Sequence, residues 1–324
     1  MTTSLSLLAW PDYIDPLTLR NFELETGTRV ELEIVPSAVE LIGRMKNGQR
    51  PPDVLVPPDY AVRELGAEGL LAELDHQHLP NLKYLESRFL QGRTHDASSR
   101  FSIVKDWGTT GFMYRSDVIH EAPQAWSDFW RLAEKFSGRV TVLDSPGEVI
   151  GAALKMRGHS YNASSPEALS VARADLLRLK PHLLAFETNY RPLLSSGDAC
   201  LSLGWNGDAA VLKSQGVPIR YVVPSEGSQI WEDDWAMAVD TPNVELAYSF
   251  LNYVLRPEVA AQEARYTRYA TGNRAALELL EDGMRSDAST YPPDDVILKL
   301  EPGMPLEAEG QQRRLALWNE FRGQ

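Results

Sequence analysis

The sequence predicts an α/β fold built on a mainly parallel sheet with helices on both faces. Two observations carry the prediction. Short runs with strand-like alternation recur along the chain, and in the first seventy residues each is followed by a segment of helical period with its own start or stop signal. This βαβαβ rhythm builds a parallel sheet, because a strand followed by a helix returns to the sheet only as a crossover.

Leu5, Leu7 and Ala9 alternate as a strand; Asp15-Pro16 supplies a cap and a first-turn proline, Leu19 and Phe22 a helical face, and Gly27 a stop. Val30, Leu32 and Ile34 read as the second strand. Ser37 and Glu40 have capping-box spacing, Val39, Ile42 and Met45 form an apolar stripe, and Gly48 closes that helix. Asp53 to Val56 is a short buried strand, with a helical stretch from about Asp59 to Leu65. Further on, Trp126 to Phe136 reads as a helix, Val140 to Leu143 as a strand, and Glu148 to Met156 as a helix ended by Gly158. Leu201 and Leu203 alternate into Trp205-Asn206-Gly207. Ile219 to Val223 and Trp235 to Val239 are strands, Asn243 caps a helix carrying Leu246, Phe250, Leu251 and Val254 up to Pro257, and Leu315, Trp318 and Phe321 fall at helical spacing near the end.

Composition narrows the function. The 324 residues are 43% hydrophobic and 24% charged, ordinary for about two globular domains. Asp and Glu outnumber Lys and Arg by 45 to 32, a net charge of −13 that argues against a nucleic-acid partner. The single cysteine, Cys200, excludes an internal disulfide and any multi-cysteine metal site. No segment approaches the roughly 20 apolar residues of a membrane span, so a soluble chain is expected. The run from Met1 to Trp10 shows neither the basic nor the apolar region of an export signal. No phosphate-binding glycine loop, nucleophile elbow or placed catalytic triad occurs, so no cofactor and no catalytic residue is expected.

Eight tryptophans are many for this length, and several aromatic residues stand beside acids and turn formers after strand-like runs: Trp10-Pro11-Asp12-Tyr13, Pro58-Asp59-Tyr60, Asp106-Trp107-Gly108, Trp205-Asn206-Gly207-Asp208 and Trp231-Glu232-Asp233-Asp234-Trp235. In a parallel sheet the carboxyl ends of strands face the ligand crevice. Ring faces and carboxylates there suit an organic cation, each ring contributing about 0.5–2 kcal/mol to an ammonium and each acid a charge-assisted hydrogen bond.

The same segments carry a resemblance. With Phe22 to Val30, Asp53 to Tyr60, Trp107 to Gly111, Gly204 to Gly207, Ser225-Glu226-Gly227 leading to Trp231, and Leu255 to Ala260, the chain resembles, over nearly its whole length, the spermidine/putrescine-binding proteins of bacterial ABC importers. The resemblance implies a two-lobed periplasmic-binding-protein-like fold, each lobe a mainly parallel sheet flanked by helices, with the ligand cleft between the lobes. One lobe would comprise residues 1–107 and 232–280, the other 108–231 and 281–324. It further implies a monomeric, non-enzymatic receptor, periplasmic or at the cell surface, that passes a polyamine to a membrane permease without cofactor, nucleic acid or membrane insertion. The family's aromatic box falls on Trp10, Tyr13, Tyr60, Trp205, Trp231 and Tyr269, and two of its amine-binding carboxylates on Glu148 and Asp233. Departures are Ser145 in place of a central carboxylate, beside Asp144, and Pro11 and Pro58 in place of hydroxyl residues. Asp12 or Asp59 could compensate, as could Asp106, Asp208 or Asp234.

Each residue has a plainer reading. Glu148 could reach back to its helix start from Ser145, Asp233 could belong to a solvated acidic turn, and Trp107, Trp126, Trp130, Trp235 and Trp318 are read as packing residues. His76-Gln77-His78 is read as a loop rather than a metal site, since no third ligand is near. Asn162-Ala163-Ser164 fits a glycosylation acceptor. Two other functions compete: a receptor for an amino acid, a carboxylate or a metal chelate, for which Lys105, Arg268 and Arg274 are the basic candidates, and an amine-acting enzyme.

Overall fold

The computed structural model describes residues 4–47 and 51–323. Gly48, expected to close the second helix, and Met1 to Thr3 at the N-terminus lie outside the described residues. In chain order the strands are β1 (Ser4–Ala9), β2 (Arg29–Ile34), β3 (Val54–Leu55), β4 (Ser102–Arg115), β5 (Val140–Val142), β6 (Leu183–Phe186), β7 (Leu201–Trp205), β8 (Ile219–Val222), β9 (Gln229–Met237) and β10 (Glu301–Pro302). The helices that matter most are α1 (Pro16–Thr26), α2 (Ala38–Lys46), α3 (Asp59–Ala67), α4 (Trp126–Lys135), α5 (Pro146–Met156), α6 (Pro166–Leu179), α7 (Arg191–Ser196), α8 (Asn206–Ser214), α9 (Val244–Val254) and α10 (Pro257–Thr267). The chain divides into two compact units, residues 1–107 with 232–286 and residues 108–231 with 287–324, so it passes from one to the other within β4, within β9 and after Ser286.

In the first unit β1 lies between β2 and β3, parallel to both, and β9 runs antiparallel to β3. Most of the local chemistry follows the expected signals; Asn243 is an exception, preceding α9 without a side-chain cap because its amide donates to Asp53. Asp15 accepts the Leu17 amide to cap α1, Gly27 ends it at φ 70°, and Ser37 accepts the Glu40 amide to cap α2. The apolar stripe of α2 differs from expectation. Leu41 and Met45 are buried, whereas Val39 is 82% exposed, because Val39 sits in the first turn on the face turned from Leu8, Val35 and Leu55. Since β1 sends α1 to one side and β3 lies on the other, the carboxyl ends of β1 and β3 form a switch point where the following loops diverge.

The second unit repeats this device. Its strand order is β8-β4-β7-β5-β6, with β5 parallel to β6 and β7, and β4 antiparallel to β7 and β8. The core is aromatic where α4 meets the sheet: Trp126, Phe129 and Trp130 pack edge to face at 5.5–6.4 Å, with Phe112 of β4 5.8 Å from Trp126. Trp107, Trp126, Trp130, Trp235 and Trp318 are all buried as packing residues. Two long strands differ from the sequence reading. Asp106-Trp107-Gly108 lies in the middle of β4, and Glu232-Asp233-Asp234 in the middle of β9, not in turns. Period alone misses them, because acids at strand-interior positions break the apolar alternation; ion pairs described below make their burial tolerable.

Gly204 in β7 is required by its neighbour. A Cβ there would lie 2.3 Å from the Tyr190 hydroxyl oxygen, itself fully buried and accepting the Trp205 amide at 2.9 Å. Gly204→Ala is therefore expected to destabilise the protein by about 1–3 kcal/mol through overpacking, read as a lower urea midpoint at unchanged slope; an unchanged midpoint would contradict this packing.

Candidate functional site

Each unit places a constellation of rings and acids at its switch point. In the first, Trp10 follows β1 and packs its ring on the edge of the Leu8, Val35 and Leu55 core. Asp12 turns the chain in the left-handed region at φ 54°, a conformation Asp tolerates better than most residues, and its side chain is exposed. Tyr13 then points inward. Its hydroxyl lies 2.5 Å from Asp106 Oδ1 and 2.6 Å from Asp233 Oδ2, and its ring stands 6.0 Å from that of Tyr269. Lys105 Nζ lies 4.4 Å above the Tyr13 ring and pairs with Asp106 at 2.9 Å and Glu263 at 3.4 Å.

Asp59 begins α3 and is buried, its Oδ1 accepting the Tyr60 amide at 2.6 Å, while Tyr60 is 48% exposed. A bridge between Pro58 and Asp233 brings this turn against β9. Strand period sorts the acids of β9 onto opposite faces. Asp233 faces Tyr13, whereas Glu232 and Asp234 face Arg93 and His95: Arg93 reaches Asp234 at 2.8 Å and Glu232 at 3.2 Å, His95 reaches Asp234 at 2.9 Å, and Ser102 donates to Asp234 at 2.7 Å. His95, Glu232 and Asp234 bring three potential metal-ligand atoms within 4.8 Å of one another among the described residues. The guanidinium of Arg93 already supplies the positive charge there, so the group reads as an ion-pair network that carries β9 through the interior.

The second constellation is built by α5 and β7. Glu148, in the first turn of α5, accepts the Trp205 indole N–H at 2.5 Å and the Thr110 hydroxyl at 2.9 Å on one oxygen. Ser145 makes no side-chain bond to the helix start, so the capping-box reading of this pair fails. Asp144 does not stand in for the acid missing at Ser145; it is exposed and pairs with Arg322. Trp231 lies across Gly108, where a Cβ would come within 2.4 Å of its ring. Asp208 pairs loosely with Arg191 at 3.6 Å, and burial raises its carboxyl.

The structure thus brings together Tyr13, Asp59, Asp233 and Tyr269 in one unit and Glu148 with Trp205 in the other; Asp12 and Tyr60 stand at the exposed margin of the first. Residues missed by sequence reasoning are Arg93, His95 and Thr110; Lys105, read from sequence as a basic candidate for an anionic solute, is instead a partner of Asp106 and Glu263. Only Thr110 carried a signal, the block Trp107 to Gly111. His78 stacks on Tyr248, and the Asn162 side chain bonds the backbone at Pro302 and Met304, giving both structural work.

Burial drives the electrostatics. It raises Asp59 to about 6, and with the neighbouring Asp234 it raises Glu232 to about 7. Burial would raise Asp234 too, but Arg93 and His95 reverse this and hold it at about 2. His95 is raised against its own burial by Asp234. Burial and Asp106 hold Asp233 well above the carboxylate range.

The bacterial extracellular solute-binding protein family matches residues 18–290. A putrescine/agmatine-binding protein of Pseudomonas aeruginosa is 32% identical over 99% of this chain and 92% of its own. The putrescine-binding periplasmic protein PotF of Escherichia coli is 34% identical over 92% of this chain and 85% of its own. The solved structure of the spermidine/putrescine ABC transporter substrate-binding protein PotD from Streptococcus pneumoniae superposes with TM-score 0.90 at 29% identity, covering 99% of both chains. Among the described residues no helix is long and apolar enough to cross a membrane.

A dependence of stability on pH follows from the buried acids. Asp59 and Glu232 keep protons in the folded chain that the unfolded chain has released, so stability falls as pH rises from about 4 through about 6 and 7. His95 acts in the same sense: its contribution is present below the ordinary imidazole value and is lost as pH rises through its raised value. Asp234 contributes stability present above about 4 and lost only as pH falls towards 2. The melting temperature of the ligand-free protein should therefore be higher at pH 5 than at pH 8, and Asp59→Asn should narrow the difference. A steady rise from pH 5 to pH 8 would contradict this assignment.

Proposed function

Because the chain belongs to the bacterial extracellular solute-binding protein family, we propose that it is the receptor of an ABC importer that captures a polyamine, putrescine or spermidine, and delivers it to a membrane permease. The observation that carries this reading is the pairing of rings with carboxylates at both switch points, Tyr13 and Tyr269 with Asp233 in one unit and Trp205 with Glu148 in the other. The names of the relatives, which bind putrescine, agmatine or spermidine, point to the same ligand class.

The division of labour is physical. Each ammonium must be desolvated, and without a partner that is strongly unfavourable. Asp233 and Glu148 would receive the two ends through charge-assisted hydrogen bonds, while the rings of Trp10, Tyr13, Tyr60, Trp205, Trp231 and Tyr269 flank the methylene chain and the charged heads. Asp59, and Asp12 at the margin, would add negative potential. A ligand held by groups of both units favours the conformation in which both sets reach it, which is the state a permease would recognise. The function is binding rather than catalysis, at the periplasmic or cell-surface location of such receptors, and the receptor works as a monomer.

An anionic solute finds less support. Lys105 is neutralised by Asp106 and Glu263, and Arg274 is exposed and bonds the Lys83 carbonyl. A titration calorimeter tests the reading: putrescine or spermidine should bind, and Trp205→Ala and Asp233→Asn should each weaken binding more than tenfold, or about 1.4 kcal/mol. Leu24→Ala, at a position 75% exposed, should leave affinity unchanged. Unchanged affinity in both site variants would overturn the site, and no binding of any polyamine would overturn the function.

A further inference from the structure

We propose that ligand capture expels one proton from the Asp106–Tyr13–Asp233 group, the arriving ammonium replacing a proton that Asp233 carries in the ligand-free chain. The inference rests on the polyamine reading above, and deepens it by naming how the site is charged before and after capture.

Proton counting at the Tyr13 hydroxyl carries it. That hydroxyl has one hydrogen to donate, yet it makes two short contacts, 2.5 Å to Asp106 and 2.6 Å to Asp233. Asp106 already accepts from the Lys105 ammonium at 2.9 Å on its other oxygen, and at 2.5 Å it is the closer of the two acceptors, so the phenolic hydrogen goes to it. At 2.6 Å the second contact also needs a hydrogen between its oxygens. Asp233 must bring it, as a neutral carboxylic acid donating to the phenol.

The surroundings agree. Facing Asp233 are Tyr13 after β1, Asp59 at the start of α3, and Lys105 and Asp106 on β4, with Tyr269 after α10 beside Tyr13. Lys105 is the cation of this set, and it is already divided between Asp106 and Glu263. Burial first, then the Asp106 charge, hold the Asp233 carboxyl well above its ordinary range, and the same causes hold the Tyr13 phenol up, so the phenol is not the source of the proton.

The step balances. Putrescine enters with both amines protonated; the O–H bond of Asp233 breaks, its electron pair stays on the carboxylate oxygen, and the proton passes to buffer. The resulting carboxylate pairs with the ammonium. Apparent affinity should then rise about tenfold per pH unit for as long as the ligand-free acid is protonated.

Calorimetric titration of the whole protein with putrescine near pH 6.5, in phosphate and in a buffer with a large ionisation enthalpy, reads the proton directly. The expected result is about one proton released per putrescine bound. Infrared spectra of the ligand-free protein give a second readout: one carbonyl stretch of a buried carboxylic acid should be lost in Asp233→Asn while any from Asp59 and Glu232 remain, and this variant, an isostere of the neutral acid, should melt no lower than the wild type. Putrescine binding with heats independent of buffer, or a ligand-free spectrum without the Asp233 band, overturns the proton inference while leaving the receptor reading intact. A band at Asp233 with no polyamine bound would overturn the receptor reading and the ammonium exchange, leaving only the protonated acid.

Discussion

A carboxylate taken out of water must be neutralised by a resident cation, by a proton or by an arriving cation, and the three consecutive acids of strand β9 meet this constraint in different surroundings. Its Glu232 and Asp234 turn to Arg93 and His95, which supply resident charge. Its Asp233 turns the other way, to a phenol whose hydrogen is claimed by Asp106. The pleat decides which acid is which, because neighbouring residues on a strand face opposite sides. A structural ion-pair network and a candidate ligand acid are thus built from three consecutive acids. Pairing the first set with Arg93 and His95 is what lets an acidic strand run through the interior; in the proposed scheme a proton does the same for Asp233 until a ligand arrives.

In the second unit neutral donors orient the candidate ligand acid. Glu148 is held by an indole N–H and a threonine hydroxyl, donors that orient a carboxylate without cancelling it. The fold positions both acids by one device used twice, the switch point at the carboxyl ends of parallel strands, β1 with β3 and β5 with β7. The rings follow from the same geometry. Trp10 follows β1 and Trp205 ends β7, so both stand where loops diverge, each partly buried against a core. An organic cation is the ligand class such a surface favours, since rings bind the hydrocarbon and the charge together.

Most of the fold was legible in the sequence where period and caps agree. Asp15, Gly27 and Ser37 cap or end helices as their chemistry requires, and the strands through Leu7, Val54, Val140 and Leu203 stand where alternation or short apolar runs put them. Legibility failed where burial depends on partners distant in sequence. Asp106 and Asp234 look like loop acids until Lys105 with Glu263, and Arg93 with His95, are seen beside them. Glu148 looked like half of a capping box because the spacing from Ser145 is right; that its bonds run to Thr110 and Trp205 is tertiary information. Val39 kept helical register but not burial, since it lies on the face of α2 opposite Leu41 and Met45.

The central claim is that Asp233 and Glu148 are the acids a diamine is meant to neutralise. A crystal structure of the protein grown with putrescine tests it most directly. The account predicts an elongated ligand with one ammonium within hydrogen-bond distance of Asp233 and the other of Glu148, its methylene chain against the rings of Tyr13 and Trp205. Putrescine bound elsewhere, or held with neither acid in contact, would contradict it.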